Sequence, residues 1–535
     1  MKATETHLQL IISRAEQQFI VPLFQRPYSW DKKEWQDLWN DLLELFEPDE
    51  HGKFKNHFLG SIVTIPVASV PHGIAKYVLI DGQQRLTTLF ILLMLIRNNT
   101  MNQQLAKKIV VQQLVNEFAE GLDYYRLLPT QQDRPAFQTL VQRQPIPLEL
   151  ESTQIIKCYY FFDKKLKKNI DIEKLSQIIS NQLTVVSIVL DHDENPHLVF
   201  ESLNARGKSL TQADLIRNYF FMRIPVDKQE EIFDRDWQPM QKALGDSLTE
   251  CIRHYLMAIK ATDVKKTEVY ITLKNRIDNT KIDILNSLKE IATYAGYYQR
   301  IIYPEYESNL NIQRALKRIK RIEITVAYSL LLRCYHDYAQ DYLSETDFCN
   351  ILHFVENLVI RRSVCNLPSN TLNKIFPIVY REAQSNHPTN LVRGVAHILQ
   401  NKGYPNDAEF KESLSTTNFY SRSEGRERTK LILESIESNY QHKEPVDFEN
   451  LSIEHIMPQV IKNGSWWQSH LGEEWETVHE LCLHTLGNLT LTGYNSELSN
   501  KSFPEKQKEL AQSHLELNRY FVSLSEWKKE QIEER

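Results

Sequence analysis

Two short stretches near the C-terminus, Ile453-Glu454-His455-Ile456-Met457-Pro458 and Leu486-Gly487-Asn488-Leu489, decide how the chain is read. A third run, Asn495…Asn500-Lys501…Lys506, follows at once. A His behind an acidic residue, then Asn-rich turns leading into a helix, is the pattern of a small ββα metal site that cuts phosphodiesters. In such a site the His removes a proton from water. The acidic residue and an Asn hold one divalent cation, which neutralises charge on the scissile phosphate. The plainer alternative is a satisfied surface histidine, and the rest of the chain is weighed between the two.

At 535 residues the chain exceeds one ordinary core, so two to four domains are expected. A hydrophobic content of 42%, with 10% aromatic and 25% charged residues, is that of a globular protein. The formal charge of −6 excludes a global basic field, so any nucleic-acid surface has to be a local patch. Six scattered cysteines without a CxxC pair fit reduced, packed thiols and argue against a zinc ribbon. Met1 to Glu5 carry no apolar signal core, and the longest apolar stretch, Leu86 to Ile96, is too short to span a bilayer. A soluble, cytoplasmic protein is expected.

Residues 1 to about 225 alternate strand and helix signals. Phe19 to Pro22, Ser61 to Ile65, Tyr77 to Ile80 and Thr184 to Leu190 read as strands. Asp31 and Glu34 form a capping box ahead of an apolar face of Trp35, Leu38, Trp39, Leu42, Leu43 and Phe46. A helix from about Gln84 to Arg97 is apolar nearly all round and should be buried. From about 226 to 440 the pattern is helical, as in Ile312, Leu316, Ile319, Ile322, Val326 and Leu330. The polar face there carries Lys317, Arg318, Lys320 and Arg321, read as a solvated face ahead of a phosphate contact. Arg361-Arg362 is another basic candidate. The polar stretch Ser435 to Asn450 marks the softest boundary.

Three N-terminal segments carry more than packing requires. In Phe24-Gln25-Arg26-Pro27-Tyr28-Ser29-Trp30, Gln25 and Arg26 supply donors, while Tyr28 and Trp30 supply flat faces for a base or a pocket. In Ile80-Asp81-Gly82-Gln83-Gln84-Arg85-Leu86-Thr87-Thr88 a strand ends, Gly82 allows a tight turn and a helix begins. Free N–H groups at that helix start make an anion site. Arg85 adds a fork for phosphate, and Asp81 a ligand for metal or water. No GxxxxGK[ST] loop occurs. The third segment runs from Phe200 through Asn204-Ala205-Arg206-Gly207-Lys208 to Asp214. Thr211 and Asp214 read as a capping box, and Arg206 and Lys208 as a phosphate or partner contact.

Together these runs resemble a known family. FQRPYSW, HFLGSIV, IDGQQRLTTL and FESLNARGKSLTQADLIRNYF resemble the N-terminal domain of GmrSD-family modification-dependent (Type IV) restriction enzymes. LSIEHIMPQ and HTLGNLTLTGYNSELSNKSFPEK resemble that family's C-terminal HNH-type domain, and the pairing is similar to SspE-like members. The helical middle matches weakly, through Arg361-Arg362 and Asn373 to Phe376.

The resemblance implies a multidomain α+β protein of three parts. Residues 1–225 would be a ParB/sulfiredoxin-like α/β domain that binds and hydrolyses NTP (GTP, ATP or another) and senses DNA. Residues 226–440 would be a largely α-helical middle. Residues 441–535 would be a helical domain carrying a ββα-metal (HNH, His-Me finger) nuclease unit. Asp81, Gly82, Gln83, Gln84, Arg85 and Thr87 would hold the nucleotide, with Asp81 and Arg85 central to its hydrolysis. Gln25, Arg26, Tyr28 and Trp30 would sense modified DNA. His455 is implied as general base, Glu454 as metal ligand, and Asn488 as the group orienting that His or the phosphate. Asn495 and Asn500 both fall where the second ligand belongs, with Asn495 favoured. His484 points into the site or is a packed His. Lys501 and Lys506 would hold the DNA backbone. The cofactors implied are Mg²⁺ or another divalent metal and an NTP. The partner is DNA, in modified form, and a homodimer or partner proteins of a defence operon would fit; a membrane would not. The function expected is a metal-dependent DNA endonuclease of an anti-phage restriction system, gated by its N-terminal domain. The rival readings are an NTP-dependent regulator with a degenerate nuclease domain, and an RNA-targeting nuclease.

Overall fold

The computed structural model describes residues 2–48, 53–67, 73–190, 210–420, 423–440 and 446–535. It is an α+β protein of two compact units, Met1–Pro239 with Ile277–Leu288, and Met240–Arg276 with Lys289–Arg535.

The first unit is built on a mixed sheet. Its strands are β1 (Lys2–His7), β2 (Gln17–Ile20), β3 (His57–Pro66), β4 (Ala75–Asp81), β5 (Leu127–Leu128) and β6 (Leu183–Val189), in the order β1-β6-β3-β4-β2-β5. β1 pairs antiparallel with β6, β6 parallel with β3, β3 antiparallel with β4, and β2 parallel with both β4 and β5. The four strands expected from their β-branched runs are all present. β1 was not expected, because Lys2-Ala3-Thr4-Glu5-Thr6-His7 has no apolar face and lies exposed along its length.

Two helices explain how this unit closes its core. Lys32–Glu44 carries the expected capping box, with Asp31 accepting from the Lys33 N–H and Glu34 from the Asp31 N–H. Trp35, Leu38, Trp39 and Leu42 are buried on its inner face, whereas Leu43, expected beside them, is exposed. Gln83–Asn99 is buried from Leu86 to Arg97, as its all-round apolar sequence requires. Arg97 at its far end donates to the Val141 and Leu140 carbonyls at 2.6 and 2.9 Å, meeting the free C=O groups of the neighbouring Arg134–Gln142 helix. The Thr211–Asp214 capping box opens Gln212–Phe221 as expected. The turn carrying Arg206 and Lys208 lies outside the described residues.

The second unit is helical around a two-stranded hairpin, β7 (Ser452–His455) and β8 (Leu489–Thr492). Its helix Leu310–Arg321 buries Ile312, Leu316 and Ile319. The basic face of that helix is spent internally. Arg318 pairs with Glu356 at 2.6 Å, and Arg321 with Glu434 and Glu427 at 2.7 and 3.0 Å. Arg361 pairs with Asp407 and lies over the Tyr404 and Phe410 rings, while Arg362 donates to the Gly403 and Pro368 carbonyls. These arginines brace the fold and are not a phosphate-binding patch. All six cysteines are unpaired thiols. Among the described residues no helix is long and apolar enough to cross a membrane.

His254 sits inside this unit, 2% exposed and stacked on Tyr298. Burial, with Arg253 nearby, lowers its pKa to about 4. The unfolded chain, with an ordinary His near 6.5, therefore binds a proton that the folded state refuses. Stability present above about pH 6.5 drains away as the pH falls toward 4. The thermal midpoint should drop across that window, and His254→Phe should flatten the drop.

Candidate active site

The hairpin register sets two faces. Ser452 pairs with Thr492, Ile453 with Leu491, Glu454 with Thr490 and His455 with Leu489. Alternation puts Ile453, His455, Leu489 and Leu491 on one face, and Ser452, Glu454, Thr490 and Thr492 on the other. Leu489, Leu491 and Ile453 pack with Phe419, Leu433, Leu515 and Leu517. The opposite face is fastened by Asn518, which accepts from the Thr490 hydroxyl at 2.7 Å and donates to the Leu491 carbonyl at 2.9 Å. Short helices, Asn495–Leu498 and Phe503–Leu510, follow β8 directly.

His455 ends β7, almost fully buried. Its Nε2 lies 3.0 Å from Nδ1 of His484, one of the two rings carrying the shared hydrogen. Tyr420 meets the His455 ring edge-on at 4.6 Å and stacks on His484, with the Arg426 guanidinium 4.5 Å over the Tyr420 ring. Burial depresses the His455 pKa to about 3, helped by its neighbours His484, Lys506, Arg426 and His479. Burial, His479 and Arg426 lower His484 too. His455 is therefore neutral at physiological pH, the form a base needs. His484 was left open between a site and a packing role, and the structure places it against His455. Tyr420, Arg426 and His479 were missed, since a lone Tyr or Arg far along the chain carries no spacing signal.

Glu454 turns the other way and is engaged. Its Oε1 accepts from Lys506 Nζ at 2.5 Å, and the same ammonium donates to the His455 carbonyl at 2.7 Å. Lys506 is fully buried, so it does not lie along the DNA backbone as expected. Burial raises the Glu454 pKa and lowers that of Lys506, each opposed by the attraction of its partner. Lys501 is partly exposed and pairs with Glu509 at 3.3 Å.

Asn488 is also a bracket. Its Oδ1 accepts from the Met457 N–H at 2.7 Å and the Trp527 indole at 3.1 Å, while Nδ2 donates to the Met457 and Leu483 carbonyls. All four hydrogen-bonding positions of the amide are spent. It orients the chain that follows His455 and touches neither the imidazole nor solvent, which corrects the expected catalytic contact.

Asn495 differs from Asn500. Asn495 Nδ2 donates to the Ser452 hydroxyl, and its Oδ1 is buried without a partner. Asn500 is exposed on the turn between the two helices. An open amide oxygen on the Glu454 face suits a hard divalent cation, which takes oxygen ligands and completes its shell with substrate phosphate. The residues present fit such an ion, with Glu454 held for the moment by Lys506. Among the described residues no group of three or more His, Cys, Asp or Glu is placed to hold a metal.

In the first unit the two expected segments meet, through main-chain bonds. Gln25 Nε2 donates to the Leu79 and Ile80 carbonyls at 2.8 and 2.9 Å, at the end of β4. Gln84 Oε1 accepts from the Ser29 and Trp30 N–H groups, and Gln83 donates to the Arg26 carbonyl. Tyr28 is buried, its hydroxyl shared among Thr88, Trp35 and Cys158, and its N–H held by Asp133. Trp30 packs against the core. Gln25 and Tyr28 therefore brace the loop and present no face to a base, and Thr87 is buried on its helix.

Arg85 bridges Asp81 at 2.9 Å and the Leu59 carbonyl at 2.9 Å, across Gly60. Gly82, at φ +97°, is the left-handed turn into the helix, and a Cβ there would meet Ile62 and Ser61 at 3.2 Å. Two cations, Arg26 and Arg217, lie close enough to act on each other. Arg217 is buried, donating to the Phe24 carbonyl and pairing with Asp214 at 2.7 Å. Burial lowers the pKa of Arg26, with Asp214 and Glu34 opposing, and burial likewise lowers that of Arg217, with Asp214 opposing and Arg26 adding to the drop.

Two family models match the chain. The GmrSD restriction endonuclease N-terminal domain covers residues 8–221, and the GmrSD restriction endonucleases C-terminal domain covers residues 404–535. The chain belongs to the GmrSD family of restriction endonucleases. A comparison with curated proteins finds no match. As a GmrSD protein the chain is a nuclease of a restriction system, and DNA is its substrate. The C-terminal match encloses the whole arrangement around His455, including Tyr420 and Arg426. The N-terminal match encloses both glutamine-braced segments.

Two outcomes follow from this geometry. Asn488→Ala should cost the second unit about 2–4 kcal/mol, because it strands buried main-chain groups; an unchanged thermal midpoint with lost cutting would restore a catalytic role. Gly60→Ala would place a Cβ 2.0 Å from Arg85 Nη1, and Gly60 sits at φ +105°. It should therefore release Arg85 from Asp81 and cost about 1–2 kcal/mol in backbone strain, read by thermal unfolding.

Proposed function

We propose that this chain is a metal-dependent DNA endonuclease whose HNH-type unit, within residues 441–535, cuts under the control of an N-terminal domain that binds NTP and senses modified DNA. The observation that carries the reading is the His455–His484 pair at the end of a ββα hairpin. It is a neutral base set against Tyr420 and Arg426, in a family of nucleases.

The chemistry runs from the residues present. With Nε2–H donated to His484, Nδ1 of His455 keeps the lone pair that takes a proton from water. Burial, with Arg426 nearby, holds the imidazole neutral in the free protein, and the Arg426 guanidinium also draws in a phosphodiester. The anion then offsets that charge and raises the basicity of His455 toward the useful range. A divalent metal, when bound, supplies Lewis-acid stabilisation of charge on the phosphate. Asn495 Oδ1 and the Glu454 carboxylate are the oxygens that would hold it. Asn488 keeps the end of β7 in place.

The N-terminal domain, read as ParB/sulfiredoxin-like, supplies the gate. Arg26 and the amide end of the Gln83–Asn99 helix are the groups that would meet a triphosphate, close to the buried charge of Arg217. Asp81 and Arg85 stand beside them as the pair central to hydrolysis. The sensing role expected of Gln25 and Tyr28 passes to the half-buried residues of the loop they brace, Arg26 and Trp30.

His455→Ala should abolish Mg²⁺-dependent cleavage while leaving NTP hydrolysis largely intact. His484→Ala should lower cleavage by about 10–100-fold, the range for a partner that orients an active-site imidazole. Loss of both cleavage and hydrolysis in His455→Ala would argue against separate sites.

A further inference from the structure

We propose that the Lys506 ammonium is an internal cation seated in the metal position of the hairpin unit, so that divalent metal reaches Glu454 by displacing it. This rests on the reading of residues 441–535 as a metal-dependent nuclease, and adds to it how the metal is kept out.

The geometry is that of a cation site already filled. Lysine is almost never fully buried unless paired, and Lys506 is fully buried. Its Nζ is met by two oxygens, Glu454 Oε1 at 2.5 Å and the His455 carbonyl at 2.7 Å. A carboxylate and a main-chain carbonyl are ligand types that a hard divalent ion takes. Further along β7, where Asn495 donates to the Ser452 hydroxyl, its Oδ1 is buried and unpartnered. The ammonium therefore takes the place of a cation between the Glu454 carboxylate and the His455 carbonyl.

The helix that carries Lys506 is held firmly at its start. The Ser502 N–H donates to Glu505 Oε2 at 2.9 Å, and Phe503 at the first turn is buried in the core. The side chain is thus delivered to Glu454 by a fixed backbone, and the movable part is its four-carbon stem. An incoming divalent ion brings a second positive charge to the same carboxylate, and two cations cannot share it closely. A phosphodiester arriving with the metal offers the displaced ammonium a new anionic partner. The exchange consumes no bond and no electron: one cation enters and one leaves the carboxylate. A site filled from within stays intact without metal, and it also resists loading until metal and DNA arrive together.

The test uses the full chain and Mn²⁺ as probe. In wild type, labelling of Lys506 by a small amine-reactive acylating reagent, read by mass spectrometry, should be negligible without metal and rise severalfold at saturating Mn²⁺. In Lys506→Met, which leaves Glu454 buried and unpaired, Mn²⁺ should bind about tenfold or more tighter than in wild type and raise the thermal midpoint further, because binding now also neutralises a buried charge. Lys506→Arg keeps an internal cation and should retain weak, wild-type-like Mn²⁺ binding. Glu454→Gln combined with Lys506→Met should lose the gain. Lys506 equally unreactive at saturating Mn²⁺, or a folded Lys506→Met with wild-type affinity, overturns the proposal. Wild-type protein that binds Mn²⁺ but never cuts DNA with it would instead sink the nuclease reading, leaving the exchange measurable by the same labelling.

Discussion

The second unit depends on one buried amide. β7 and β8 are joined by the long excursion of residues 456–488, so no tight turn fixes their register. The Asn488 side chain does so instead, holding Met457 by both its N–H and its C=O while the Asn488 carbonyl takes the Ile456 N–H. A slip of one residue would exchange the two faces of the hairpin. Glu454 would then point at Tyr420 and His484, and the fully buried Lys506 would lose its carboxylate partner. Trp527 and the Arg535 guanidinium, which donates to the Gly487 and Leu489 carbonyls, secure the same turn from outside.

Given that register, electrostatics divides the labour between the faces. On one, a neutral imidazole is kept neutral by burial and surrounding positive charge, a state that favours an approaching anion. On the other, a carboxylate is satisfied by a buried ammonium. The first unit uses the same device with neutral groups. Gln25, Gln83 and Gln84 tie the Arg26–Trp30 loop to the end of β4 and the start of the buried helix. Charge is concentrated in Arg26, Arg217 and the Asp81–Arg85 pair.

How much of this was legible in the sequence follows from what each signal measures. Periodic signals were reliable: the β-branched runs gave strands, the apolar run after Gln84 gave a buried helix, and Asp31 and Thr211 gave caps. β1 escaped because its pairing comes from main-chain bonds to β6 and leaves no apolar alternation. The order of the ββα unit was readable from Glu454 to Lys506, yet the direction of each side chain was not. Adjacent strand residues look alike in a motif but face opposite ways, which separates Glu454 from His455. Polar residues in motifs were read as binding groups because a core does not need them. Gln25, Tyr28 and Asn488 show that a loop without regular structure does need them, to pair its main chain. Tyr420 and Arg426 come from a helical region distant in sequence, where only three-dimensional packing brings them to His455.

The central claim is that the hairpin unit cuts and the N-terminal domain decides when. Its most direct test is cleavage by the full chain of matched modified and unmodified phage DNA, with Mg²⁺ present, with and without NTP. Faster cutting of the modified DNA, changed by nucleotide, is the result this account predicts. Equal cutting of both DNAs, indifferent to nucleotide, would contradict it.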